Sequence, residues 1–174
     1  MSDTGLKLPS SWNPDKSDWW YPEEIVNVGS SHPTQVEGSL GEGDEILVSL
    51  SWNGGTNFTS TKTTGALNYW GDDKTLGGST DTWGRSWSYT EFSNTNFRVR
   101  IESTYPKYHQ FWDFSFNIPS SSTINGIEVE LTGCGSDFGQ VSIQDTLKIK
   151  VYYTDNSTPV VGEKYPLPPF RRSV

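Results

Sequence analysis

Apolar and polar side chains alternate with period two over five stretches of this chain, and no stretch carries a helical period. Ile46, Val48, Leu50 and Trp52 are separated by Leu47, Ser49 and Ser51. Phe97-Arg98-Val99-Arg100-Ile101, Ile127-Glu128-Val129-Glu130-Leu131 and Leu147-Lys148-Ile149-Lys150-Val151 follow the same rule. So do Trp112, Phe114, Phe116 and Ile118, interleaved with Asp113, Ser115 and Asn117. A pleated strand sends successive side chains to opposite faces, so each stretch predicts a strand with one buried and one wet face. Together they predict an all-β fold, an antiparallel β-sandwich of jelly-roll type with extended arms at both ends.

Turn signals separate the strands. Asn53-Gly54-Gly55 reads as a hairpin turn, because these residues adopt positive φ at little cost. Residues 71–96 read as a loop-rich segment with one helical turn near Tyr89 to Asn94. Pro119 to Asn125 is a polar bend between two strands, and Gly133 to Gly139 a glycine-rich connection. The sandwich is thereby assigned to residues 41–154.

Residues 1–40 read as an arm, since Pro9, Pro14, Pro22 and Pro33 block internal strands. That arm carries Trp12, Trp19, Trp20 and Tyr21, an apolar liability unless the rings pack on something. These four, with Phe170, are the candidate anchors to another subunit. Residues 155–174 form a Pro-rich tail, and its Tyr165-Pro166-Leu167-Pro168-Pro169-Phe170 segment favours extended polyproline geometry.

Composition narrows the function classes. The 8 Trp, 8 Tyr and 8 Phe supply burial that a hydrophobic content of 32% would otherwise lack. A net charge of −8, with Lys and Arg scattered over strand faces, argues against a nucleic-acid partner. No apolar run is long enough for a membrane span, and residues 1–21 contain no apolar core of a signal peptide. The expectation is a protein made in a cytoplasm, with no membrane partner. The lone Cys134 excludes an intramolecular disulfide and a cysteine-based zinc site.

Candidate chemistry is sparse. Acid–base catalysis needs two carboxylates across a pocket, drawn here from Asp72, Asp73, Asp81, Asp113, Glu128, Glu130 and Asp145. Glu128 and Glu130 share one strand face and read instead as a solvated or interface pair. His32 lies in the arm and His109 in a Tyr-rich stretch that reads as a loop; neither has a nucleophile motif beside it. Asp72-Asp73 and Ser136-Asp137 lack the spacing of a calcium loop. The expectation is no catalysis, no metal and no cofactor. Sugar stacking is the rival chemistry, with Trp70, Trp83 and Trp87 in the long loop as candidates and Arg85 expected to point outward. Against it stands the expectation that Trp83 and Trp87 are mostly buried, plugging the core beneath that loop.

Three segments carry a resemblance: LGGSTDTWGRSWSYTEFSNTNFRVRI over 76–101, SFNIPSSSTINGIEVEL over 115–131 and DTLKIKVYYT over 145–154. They resemble a β-sandwich domain of tailed-phage and prophage virion structural proteins, and the opening MSDTGLKLPSSWNP resembles the start of such proteins. Here the INGIEVE segment follows the Trp-Gly segment, whereas in that domain it precedes it. The resemblance implies a non-catalytic virion protein present in many copies. Its first expected role is capsid decoration, as a cement protein stabilising the shell. A tail, baseplate or fibre component is the alternative, and a carbohydrate-binding adhesin module is a third. The implied partners are copies of itself and other virion proteins (major capsid or tail proteins), with host glycans under the third reading; the arms, ordered only against neighbours, point to a closed cyclic oligomer, a trimer foremost.

Overall fold

The computed structural model describes residues 1–12, 19–20, 34–36, 45–68, 72–103, 108–135 and 141–157. Among these residues eleven strands build two sheets, every pairing antiparallel: β1 (Ser2–Asp3), β2 (Ser11–Trp12), β3 (Trp19–Trp20), β4 (Thr34–Val36), β5 (Ile46–Ser51), β6 (Lys62–Thr63), β7 (Asp72–Gly77), β8 (Arg98–Ser103), β9 (Tyr108–Trp112), β10 (Thr123–Gly135) and β11 (Val141–Thr154). One sheet runs β3-β4-β11-β10-β7, with β1 also on β11; the other runs β2-β9-β8-β5-β6. The expected antiparallel sandwich is therefore the fold.

The period-two pattern explains the core directly. In the first sheet Ile127 faces Val151, Val129 faces Ile149 and Leu131 faces Leu147, all fully or almost fully buried. In the second, Leu50, Val99 and Phe111 form one cross-strand row, and Val48, Ile101 and His109 the next. Burying each such apolar side chain stabilises the fold by about 1.5–3 kcal/mol. Two of the five stretches behave differently from expectation. Ser49 and Ser51 are buried too, because Arg100 lies across Ser49 and the 53–57 turn bonds to Ser51, so β5 has no wet face.

The stretch 112–118 is not a ladder strand beyond Trp112. Asp113 and Ser115 take φ values of 63° and 52°, and this turns Phe114 and Phe116 into a near-parallel pair, centroids 5.6 Å apart, over the core. The strand lies just upstream, and His109, expected in a loop, is a fully buried member of it. The turn Asn53-Gly54-Gly55 forms as read, with φ of 71° and 89° at its glycines. The helical turn also appears, as a 3₁₀ turn over Tyr89–Phe92 capped by Ser88 and Glu91.

The described part of the arm lies on its own sandwich. Lys7 and Ile149 exchange backbone hydrogen bonds of 2.8 Å, Thr4 N donates to Val151 O, and Ser10 N donates to Trp112 O. Residues 1–12 thus leave the edge of one sheet and reach the edge of the other. β4 adds to β11 at Val141 to Ile143, and β3 adds to β4.

Candidate functional site

The long loop between β7 and β8 closes one end of the sandwich, and a few residues set its geometry. Gly77 and Gly78 reverse the chain at φ of 82° and 153°. Gly126 comes so close beneath them that a Cβ there would sit 2.2 Å from Gly78 O. A one-residue bulge in β10 between Ile124 and Gly126 makes this approach fit: it shifts the alternation so that both Ile124 and Ile127 face inward. The extra residue, Asn125, ties its side-chain amide to Thr154 Oγ1 at 2.9 Å.

Trp83 locks the reversal. Its backbone holds φ 56° while Asp81 Oδ1 accepts its N–H at 2.8 Å, and its indole Nε1 donates to Ile127 O at 3.0 Å. Lys62 reaches the same node, pairing with Asp81 at 2.8 Å and lying 5.2 Å from the Trp83 ring centre. Partial burial pushes the Asp81 carboxyl up. The Lys62 hydrogen bond, the Trp83 N–H and the Lys62 charge outweigh that and hold it below the ordinary value.

A second cluster sits around Trp87. Arg85 lies between Trp52 and Trp87, its guanidinium 4.0 and 4.4 Å from their ring centres, and grips Glu91 with two bonds of 2.8 and 3.3 Å. Phe92 and Phe97 pack on Trp87, and its Nε1 donates to Thr82 O at 2.8 Å. Arg85 is therefore a buried-edge clamp, not the outward residue expected from the sequence.

These contacts leave two of the three sugar-stacking candidates without a free ring face, as the core-plug reading expects. Trp83 is 4% and Trp87 8% exposed, and a stacking platform needs a free ring face. The open depression of about 420 Å³ beside Trp87, lined also by Thr82, Ser86, Thr123 and Ile124, reaches a ring already flanked by Arg85 and two phenylalanines. Trp70 lies outside the described residues.

The candidate interface anchors divide likewise. The backbones of Trp12, Trp19 and Trp20 pair with Phe111, Val36 and Gln35 of the same chain. Tyr21 and Phe170 lie outside the described residues, as do His32 and the Ser136-Asp137 pair.

Four of the candidate carboxylates, Asp72, Asp73, Asp81 and Glu128, are occupied structurally, whereas Asp113 Oδ1 is buried without a hydrogen-bond partner. Glu128 accepts from Lys150 at 3.2 Å and from Tyr152 at 3.0 Å. Asp73 accepts from Thr132 at 2.6 Å, and Asp72 from Asn68 and Lys74. Glu130 faces Lys148 across the ladder. Among the described residues no three His, Cys, Asp or Glu side chains come together as a metal site. The outer face of the second sheet joins arginines to rings, Arg98 at 4.2 Å from Trp112 and Arg100 at 4.1 Å from Phe58. Such pairs fix side chains on a face rather than build a reactive centre.

Comparison with known proteins finds no matching family model, no matching curated protein and no matching solved structure.

Proposed function

We propose that this chain is a non-catalytic structural protein of a tailed-phage particle, serving as a capsid decoration (cement) protein present in many copies. The motif resemblance prompts this reading, and the course of residues 1–12 is the observation that carries it. That segment bonds to β11 and β9 through backbone groups, while most of residues 1–10 stay exposed. A strand held on two sheet edges by main-chain bonds can be exchanged for the equivalent strand of a neighbour at little cost, and linked copies are what a shell-stabilising layer requires. The charge of −8 keeps separate copies soluble and apart before they meet a shell.

The test is to locate the chain in particles and to remove it. Reconstruction should place many copies on the outer shell, and particles lacking the protein should lose their DNA at lower temperature. Finding it confined to tails, or absent from particles, would refute the assignment.

A further inference from the structure

We propose that an apolar groove at the loop-closed end of the sandwich is the seat of the chain's own C-terminal segment, Tyr165 to Phe170. The groove, about 230 Å³, is walled by Tyr89, Phe92, Phe116 and Ile118, with Thr90 and Ser93 on its rim. Tyr89 is one of three large apolar residues exposed among the described residues, and it stands at the mouth of this groove.

The chemistry of the wall selects the occupant. Aromatic-lined grooves take proline-rich segments, because a polyproline helix pays little ordering entropy and offers its carbonyls unpaired. Tyr165-Pro166-Leu167-Pro168-Pro169-Phe170 is the one run of that composition in the chain.

Where β11 ends decides that the segment can arrive. Asn156 Nδ2 bonds to Ser121 O at 3.0 Å and to Thr123 Oγ1 at 2.8 Å, so residue 156 lies beside the 119–123 bend. Ile118 lies three residues before Ser121, within about 11 Å along the chain. From Ser157 to Tyr165 an extended chain reaches about 25 Å at about 3.1 Å per residue, enough to return to the groove. Tethering at that range gives a millimolar effective concentration, so a shallow groove suffices. The neighbouring depression beside Trp87 offers no such wall, since that ring is flanked by Arg85, Phe92 and Phe97. None of this depends on the virion reading.

The experiment uses the full-length protein with a photo-crosslinking phenylalanine in place of Leu167, and maps the products by mass spectrometry. Cross-links should fall on residues 89–93 or 116–118 of the same chain, at monomer mass, and Tyr89→Ala should reduce their yield about tenfold or more. In parallel, Phe170→Ser should shift the amide resonances of Thr90 and Ser93. Cross-links scattered over the surface or captured in another copy, a yield indifferent to Tyr89→Ala, or unmoved Thr90 and Ser93 signals would each overturn the proposal.

Discussion

The indole Nε1 of Trp83 donates to the backbone carbonyl of Ile127 at 3.0 Å, and the N–H of Gly78 donates to that same carbonyl at 3.0 Å. One oxygen therefore joins the Gly-Gly-Ser-x-Asp-x-Trp-Gly segment to the INGIEVE segment. Replacing Trp83 by Phe removes a buried donor but leaves Gly78 in place, and should cost about 1–3 kcal/mol. Trp83→Ala also opens a cavity and should cost about 3–5 kcal/mol. Urea unfolding should show both as lower midpoints with an unchanged slope.

Gly126→Ala tests the same junction from the other side. The added Cβ would meet backbone atoms, Gly78 O at 2.2 Å and Ser79 C at 2.5 Å, so the two segments must separate. Overpacking of this kind costs about 1–3 kcal/mol or more. Calorimetry should record a fall in Tm of several degrees, at about 2–4 °C per kcal/mol for a chain of this size.

Arg85 acts through shape as much as charge. A lysine there keeps the charge but loses both the guanidinium contact with the Trp52 and Trp87 rings and the two-point grip on Glu91. Arg85→Lys should destabilise by about 1–2 kcal/mol. A double-mutant cycle with Glu91→Gln should return a coupling term, and strict additivity would mean that the pair contributes nothing together.

The strands that build the core were legible because period two survives wherever a strand is flat and half-buried, as from Ile127 to Leu131 and from Leu147 to Val151. Legibility failed where tertiary contacts override local pattern. The 112–118 stretch alternates as a strand does, yet positive φ at Asp113 and Ser115 directs its rings inward without a ladder. Conversely, Tyr108 to Trp112 reads as polar and aromatic, and only Ile101 and Val99 on the adjacent strand reveal that His109 and Phe111 are core positions. The Trp83 and Trp87 loop could be read either as a core plug or as a sugar platform. What decides it is the partner of each ring, Ile127 O for one and Arg85 with Phe92 and Phe97 for the other, and none is near enough in pattern to be read locally. The two-residue edge strands of the arm leave no periodic trace at all.

Stability should fall at both ends of the pH range. Asp72 is held low first by the Asn68 backbone N–H, and Asp155 first by that of Ser157. Partial burial raises Asp81, but Lys62 and the Trp83 N–H outweigh it. A carboxyl depressed in the folded state stabilises fully above its unfolded value near 3.8, and that contribution disappears as pH drops through the lower folded value. Asp81→Asn should therefore flatten the acid limb of stability against pH, and an unchanged limb would rule out this contribution.

At high pH the group to watch is Glu128 with Lys150 and Tyr152. Burial lowers the Lys150 amine, but the Glu128 hydrogen bond and charge outweigh it and raise it above 10.5; Tyr152 is raised first by burial. Both groups bind their protons more tightly folded than unfolded, so their contribution is complete below about pH 10 and declines as pH rises through the folded values. Glu128→Gln should lower stability below about pH 10 and flatten its alkaline decline, a change that fluorescence-monitored melts from pH 8 to 11 would detect.

Residues 1–12 supply the last test, because their backbone bonds close two sheet edges at once. Deleting them removes the Thr4, Lys7 and Ser10 bonds to Val151, Ile149 and Trp112, and with net values near 1 kcal/mol per bond the loss should be about 2–5 kcal/mol. The hydrophobic rows of both sheets remain, so circular dichroism should still report a folded all-β domain. The freed edges of β11 and β9, however, present unpaired N–H and C=O groups of the kind that recruit another strand. Light scattering should then show self-association that grows with concentration, and a synthetic peptide of residues 1–12 should reverse it. A truncated protein that stays monomeric at full stability would mean that the segment lies on the sheets without holding them.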